Sequence, residues 1–145
     1  MSVTYDTDVV AWADEQAALL RAGKLSQLDL EHIADEVEDV GKSARRELLS
    51  RMVVLLAHLL KWSAQPDRRG RSWEKTIAFQ RGEVLDHLND VPSLRPSLVD
   101  PEWMEKAWGK AVALAEAETG LEREDFPGSC PWTTEQILRA DFVPD

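Results

Sequence analysis

Apolar residues recur at three- and four-residue spacing through residues 30–64, and they define the dominant element of the chain. At about 100° per residue, Leu30, Ile33, Val37, Gly41, Ala44, Leu48, Met52, Leu55, Leu59 and Trp62 share one helical face. Asp29 is placed to cap the start and Pro66 to stop the end. The stripe keeps its phase through Gly41, where a turn would scramble it. The pattern therefore predicts one helix from about Leu30 to Ala64, with Gly41 admitting a close neighbour. Beyond Leu48, the residues Val54, Leu56, Ala57 and Leu60 make the remaining surface apolar too, so this half reads as a buried axis. Such a rod is about 50 Å long, whereas a compact domain of this size is about 40 Å across. It must project, bend or be covered by a second subunit, and a dimer is the expectation.

Three further helices and an irregular tail follow from the same reading. The first helix is predicted from about Thr7 to Ala22, with Asp6 as N-cap, Tyr5 and Val10 as a hydrophobic staple, and Gly23 past its end. The third is predicted from about Ser72 to Asn89, capped by Ser72, with Trp73, Ile77, Val84 and Leu88 inward. The fourth opens with Asp100-Pro101 and closes at Gly120; Trp103, Met104, Ala107, Ala111, Leu114 and Ala115 form its apolar face. The tail carries one short helix after Thr133, where Thr133 and Gln136 fit a capping box. No alternating β-branched run reads as a strand. The fold class is all-α: a single domain over residues 1–145, a bundle of about four helices with one long central helix and an irregular C-terminal tail.

Composition narrows the partners. The 145 residues carry a net charge of −10 with 43% hydrophobic residues, which is globular and opposes indiscriminate binding to nucleic acid. Nothing approaches the roughly 20 apolar residues of a membrane span, and the amino terminus lacks the features of a signal peptide. Cys130 is the only cysteine, so no internal disulfide forms and a cytoplasmic location is expected. In "FPGSCPW" it reads as packing beside Phe126 and Trp132 rather than as a nucleophile.

Candidate chemistry gathers in three places. Glu36, Glu47, Arg51, His58 and Gln65 fall within about 60° on the long helix, a polar seam beside the apolar stripe. Glu47 and Arg51, four apart, suit an ion pair, and a buried His58 must find a hydrogen-bond partner. Thr76, Gln80, Glu83 and His87 make a similar seam on the third helix. Facing one another, the seams would bring together His58, Glu36, Glu47 and Glu83 as catalytic candidates, and His58, His87, Glu36 and Glu83 as metal ligands. However, Glu83 and His87 are one residue too far apart for the Glu-x-x-His of di-iron bundles. The acidic run Asp29, Glu31, Asp35, Glu36, Glu38 and Asp39 reads first as a solvated face that complements the helix dipole. Arg68, Arg69 and Arg71 precede Ser72 at a helix start, where an anion could bind; balancing the protein's own acids or capping the preceding helix is the plainer use.

The succession "YDTDVVAWADEQAALLRAGKLSQLDLEHIADEVEDVG", "HLLKWSAQPDRRGRSW" and "FPGSCPWTTEQIL" resembles the bacterial domain-of-unknown-function family 29 over nearly the whole chain. The motif positions are Tyr5, Trp12, Leu28, Asp29, Glu36, His58, Leu59, Lys61, Trp62, Gln65, Pro66, Arg69, Ser72, Trp73, Pro131 and Trp132. The resemblance implies an α-helical bundle and a bacterial source, and it brings no activity. The leading expectation is a non-enzymatic interaction or regulatory module, a homo-oligomer or the partner of another protein, with no cofactor. A small metal-assisted hydrolase with a His/Glu site between helices is the alternative. Anion or nucleic-acid binding through the arginine cluster is the third.

Overall fold

Asp8 starts the first helix by accepting the amide of Ala11, at 3.1 Å. This cap lies two residues beyond the Asp6 expected, and Val10 is exposed rather than stapled to Tyr5. The computed structural model describes residues 4–145 as α-helix, short 3-10 turns and connecting loops, with no strand among the described residues. In order, the helices are α1 (Val9–Arg21), α2 (Leu30–Ala64), α3 (Arg71–Asp90), α4 (Pro101–Thr119) and the short α5 (Thr134–Leu138). A 3-10 segment, Pro92–Val99, joins α3 to α4. No helix of the described residues is long and apolar enough to cross a membrane.

The boundaries follow from local chemistry. Gly23 takes a left-handed φ of 71° after α1, and Gly120 takes 76° after α4, the conformation that ends helices at low cost. Asp100 caps α4 by accepting the amide of Glu102, with Pro101 at the first position. Thr133 and Gln136 form the expected capping box on α5. α2 runs without interruption through Gly41, and Pro66 opens the next turn. Ser72 is not the cap of α3: Gly70 occupies that position in extended backbone, and the helix begins one residue earlier than expected.

The chain divides into two compact units, Met1–Ser43 and Ala44–Asp145. In the second, Leu48, Met52, Leu55, Leu56, Ala57, Leu59 and Leu60 of α2 are buried with Ile77, Val84 and Leu88 of α3. Ala107, Trp108, Ala111, Val112 and Ala115 of α4 complete that core, and Ile137 and Phe142 join it from the tail. The later half of α2 is thus apolar on nearly every side because neighbours meet it on nearly every side.

The earlier half departs from expectation. Leu30 and Val37 lie on the same stripe but remain 67% and 68% exposed. In the first unit only α1, thirteen residues long, lines the hairpin groove beside that half. One short helix covers a line of side chains and leaves the flanks open.

The tail is held by side-chain donors aimed at its backbone. Arg81, 3% exposed, donates from Nε to Ile137 O (2.8 Å), from Nη1 to Ala140 O (3.0 Å) and from Nη2 to Phe142 O (2.6 Å). Trp62 Nε1 donates to Pro144 O at 3.0 Å, and Trp108 Nε1 donates to Pro127 O at 2.9 Å. Irregular backbone cannot satisfy its own carbonyls, so buried donors must do so. Among the described residues no buried side-chain nitrogen or oxygen lacks a partner.

Candidate functional site

The two polar seams meet in the second unit, but around an arginine. Arg51 donates from Nη2 and Nε to Glu47 Oε1, at 2.8 and 3.1 Å, and from Nη1 to the carboxylate of Glu83 on α3. His87 Nε2 lies 2.8 Å from Ala44 O, and its Nδ1 lies 3.6 Å from Glu47 Oε2. A carbonyl only accepts, so Nε2 carries the hydrogen in that contact. The hydrogen bond from Arg51 holds the Glu47 carboxyl below its usual range, aided by the nearby His87. Two carboxylates thus flank one guanidinium, which offsets part of their negative charge. Among the described residues no three His, Cys, Asp or Glu side chains converge in a group able to hold a metal ion.

His58 stands apart from that cluster. Its Nδ1 lies 2.8 Å from Val54 O, one turn back on its own helix, so that nitrogen is met by backbone. No hydrogen bond or ion pair among the described residues joins it to Glu47, Glu83 or His87. Glu36 belongs to the first unit, where it accepts the hydroxyl of Tyr5 at 2.5 Å.

The arginine run is also divided in its contacts. Arg69 donates to Trp62 O at 2.7 Å and to Asp145 O at 2.9 Å, with its guanidinium 5.3 Å from the Trp62 ring centroid. This caps the end of α2 and fastens the segment at Asp145. Arg68, Arg71 and Ser72 are exposed, and the carbonyl of Ser72 accepts the Thr76 hydroxyl. Lys61 bridges to Glu118 of α4 at 2.6 Å and lies 5.9 Å from the Trp73 ring. Lys61, Trp62, Arg69 and Trp73 therefore serve the helix corner. Cys130 packs as expected: its Sγ contacts Trp132 O at 3.3 Å, and burial pushes its thiol pKa up, which weakens it as a nucleophile.

A second polar constellation lies in the first unit, around His32, which belongs to neither seam. Asp29 Oδ2 accepts from Trp12 Nε1 at 2.9 Å and meets His32 Nδ1 at 2.7 Å. Gln16, buried, accepts the Asp29 amide at 2.8 Å. The His32 ring stacks on Tyr5, with centroids 4.2 Å apart and planes 10° apart, while the Trp12 ring meets Tyr5 edge-on. These residues line a cleft of about 440 Å³ that also includes Thr4, Asp6, Gln27 and Leu28. A carboxylate on Nδ1 orients the imidazole and leaves Nε2 as the basic nitrogen of its neutral form. The signal in the sequence is Asp29-x-x-His32 across a helix start, with the cap residue also serving as a side-chain acceptor.

Asp29 raises the His32 pKa above 6.5, chiefly through their hydrogen bond, and His32 correspondingly lowers that of Asp29. The sign follows from linkage: the raised histidine contributes full stability below its unfolded value of 6.5 and loses it as pH climbs through the folded value. The lowered aspartate contributes above its unfolded value of 3.8 and loses it as pH falls through the folded value. His32→Phe keeps a ring against Tyr5 but removes the proton. Wild type is expected to exceed this variant in stability by the larger margin in mildly acidic solution, with the gap closing as pH rises past 6.5. Urea titrations at several pH values measure it, and a gap independent of pH would refute the linkage. The Tyr5 hydroxyl, its pKa pushed up to about 12 by the bond to Glu36, stays a donor throughout.

The first unit also carries an apolar groove. Ala13, Ala17 and Leu20 of α1 face Ile33, Val37 and Val40 of α2 across about 240 Å³, with Trp12, Gln16 and Glu36 completing the wall. Leu20 is 48% exposed and Val40 is 73% exposed. Apolar side chains gathered in one open hollow differ from the scattered exposed leucines of any surface.

Comparison with known proteins yields two matches. The model of a family described as "Domain of unknown function DUF29" matches residues 4–143. A crystal structure of an α-helical protein of unknown function from Rhodospirillum rubrum is similar, with 27% identity and a TM-score of 0.59, covering 98% of this chain and 93% of that one. No curated protein sequence matches.

Proposed function

The chain belongs to the DUF29 family, which carries no activity to transfer, and we propose that it is a non-enzymatic docking module. Its N-terminal hairpin receives one amphipathic helix from a partner protein, and that helix carries lysine or arginine along its polar edges. The apolar groove between α1 and the first half of α2 is the observation behind this reading. Helices lay an apolar face into such hollows through side chains spaced three and four apart.

Charge selects the kind of partner. Up to Ser43 the chain has ten acidic residues against three basic ones, so most of the net charge of −10 belongs to this unit. A basic helix is drawn in, whereas a second copy docked groove to groove would set like charges against one another. The occupant is therefore a different chain.

Calorimetry with a synthetic leucine–lysine amphipathic helix, about four turns long, tests the reading against a leucine–glutamate peptide of the same pattern. The basic peptide is expected to bind at about micromolar Kd or better, and the acidic one not at all. Leu20→Ser with Val40→Ser, both at exposed positions, should weaken binding roughly tenfold or more without altering the thermal midpoint. Unchanged affinity in that variant, equal binding of the acidic peptide, or concentration-dependent dimers abolished by the same substitutions would each overturn it.

A further inference from the structure

A different hollow, wholly within the second unit, collects positive charge in an acidic protein. It lies between α2, the Pro92–Val99 segment and α4, and encloses about 220 Å³. Leu48, Leu49, Leu94 and Trp103 form its apolar lining; Arg45, Arg46, Lys106 and Ser97 supply its polar part. No carboxylate lines it. We propose that this hollow binds a small amphiphilic carboxylate, its anionic head between Arg45 and Lys106 and its short aliphatic or aryl tail on the floor.

Three observations carry the proposal. First, Arg45 and Lys106 are not consumed by the fold in the way that Arg51, Arg69 and Arg81 are. Arg45 and Lys106 take part in no ion pair among the described residues, although a net charge of −10 makes acidic partners plentiful. Arg45 also has no acid three or four residues away on its own helix, where glycine, lysine and leucines stand instead. Second, the floor is structural and preformed. Leu48 and Leu94 are anchored in the core at 1% and 6% exposure, and the half-buried Leu49 and Trp103 held beside them present the apolar surface. Third, the size fits: at about 30 Å³ per water, the space equals that of several waters, enough for a carboxylate with a chain of roughly six to eight carbons. Guanidinium forks match a carboxylate in two-point geometry, while an apolar floor rewards a tail that water does not.

Octanoate, octanol, acetate and inorganic phosphate, titrated separately while the Trp103 indole resonance is followed by NMR, test both halves of the site. Octanoate is expected to shift that resonance saturably, and octanol and acetate to bind roughly tenfold or more weakly. Arg45→Gln with Lys106→Gln, both at exposed positions, should reduce octanoate affinity by about the same factor while the far-ultraviolet spectrum and melting curve stay unchanged. The proposal is overturned if octanol matches octanoate, if acetate or phosphate does so, or if the double variant binds octanoate as wild type does. Because the groove of the N-terminal hairpin shares no residue with this hollow, Leu20→Ser with Val40→Ser should leave octanoate binding intact. Its loss in that variant would also count against the assignment.

Discussion

Arg81→Met is expected to cost the C-terminal unit about 3–5 kcal/mol, measured by urea denaturation followed by far-ultraviolet circular dichroism. Methionine retains much of the aliphatic stem, so the loss isolates the guanidinium. That group is 3% exposed and donates to the carbonyls of Ile137, Ala140 and Phe142. Burial lowers its pKa, a sign that water has been stripped from the charge, and the three carbonyls are what replace that water. Without them, irregular backbone over a hydrophobic core is left with unpaired acceptors, and the tail comes away from Trp62 and Trp108. Arg81→Lys restores charge without the three-point fork and should recover only part of the loss. Arg71→Met, at an exposed position on the same helix, should change stability by less than about 0.5 kcal/mol. An Arg81→Met protein within that narrow range would show that the tail needs no such clasp.

The second large effect separates the two halves of one helix. Met52→Ala should destabilise by about 2–5 kcal/mol, since Met52 is 0% exposed at the centre of the core cluster. Val37→Ala, on the same stripe of the same helix but 68% exposed, should cost less than about 0.5 kcal/mol. Denaturant midpoints at constant slope give both values. The same Val37→Ala substitution should weaken the basic amphipathic peptide, because its methyl groups line the groove. A stability loss at Val37 comparable with that at Met52 would mean that the hairpin face is covered in the isolated protein, and the docking reading would fall.

These two positions also show where periodicity ceases to inform. Val37 and Met52 satisfy the same rule of angular spacing, and the rule reports only that both occupy one side of a cylinder. It says nothing about what lies opposite. Opposite Met52 are α3, α4 and the tail; beside Val37 is the open groove that α1 leaves uncovered. The candidate site had the same fate. Glu47 and Arg51 pair because four residues on a helix bring them together, and that distance is local. Glu83 joins them only because α3 packs alongside, and His58, seven residues past Arg51, turns back to its own helix. The surroundings of His32 are not local either: Asp29 shared with Trp12, and a Tyr5 ring laid flat on the imidazole, depend on α1 folding back onto the start of α2.

Helix content, the unbroken run from Leu30 to Ala64, the Asp100-Pro101 start, the two glycine stops and the Thr133–Gln136 box were all decided within a few residues of themselves. Dihedral preference, capping and phase act over one or two turns, so neighbouring letters contain them. Packing between distant segments decided the rest: what covers the dry half of α2, that Arg81 clasps the tail, that Arg51 stands between the carboxylates of Glu47 and Glu83, and that an apolar groove and a cationic hollow open at separate places. Burial and electrostatic pairing depend on what arrives from far along the chain, and that arrival is settled only when the helices come together.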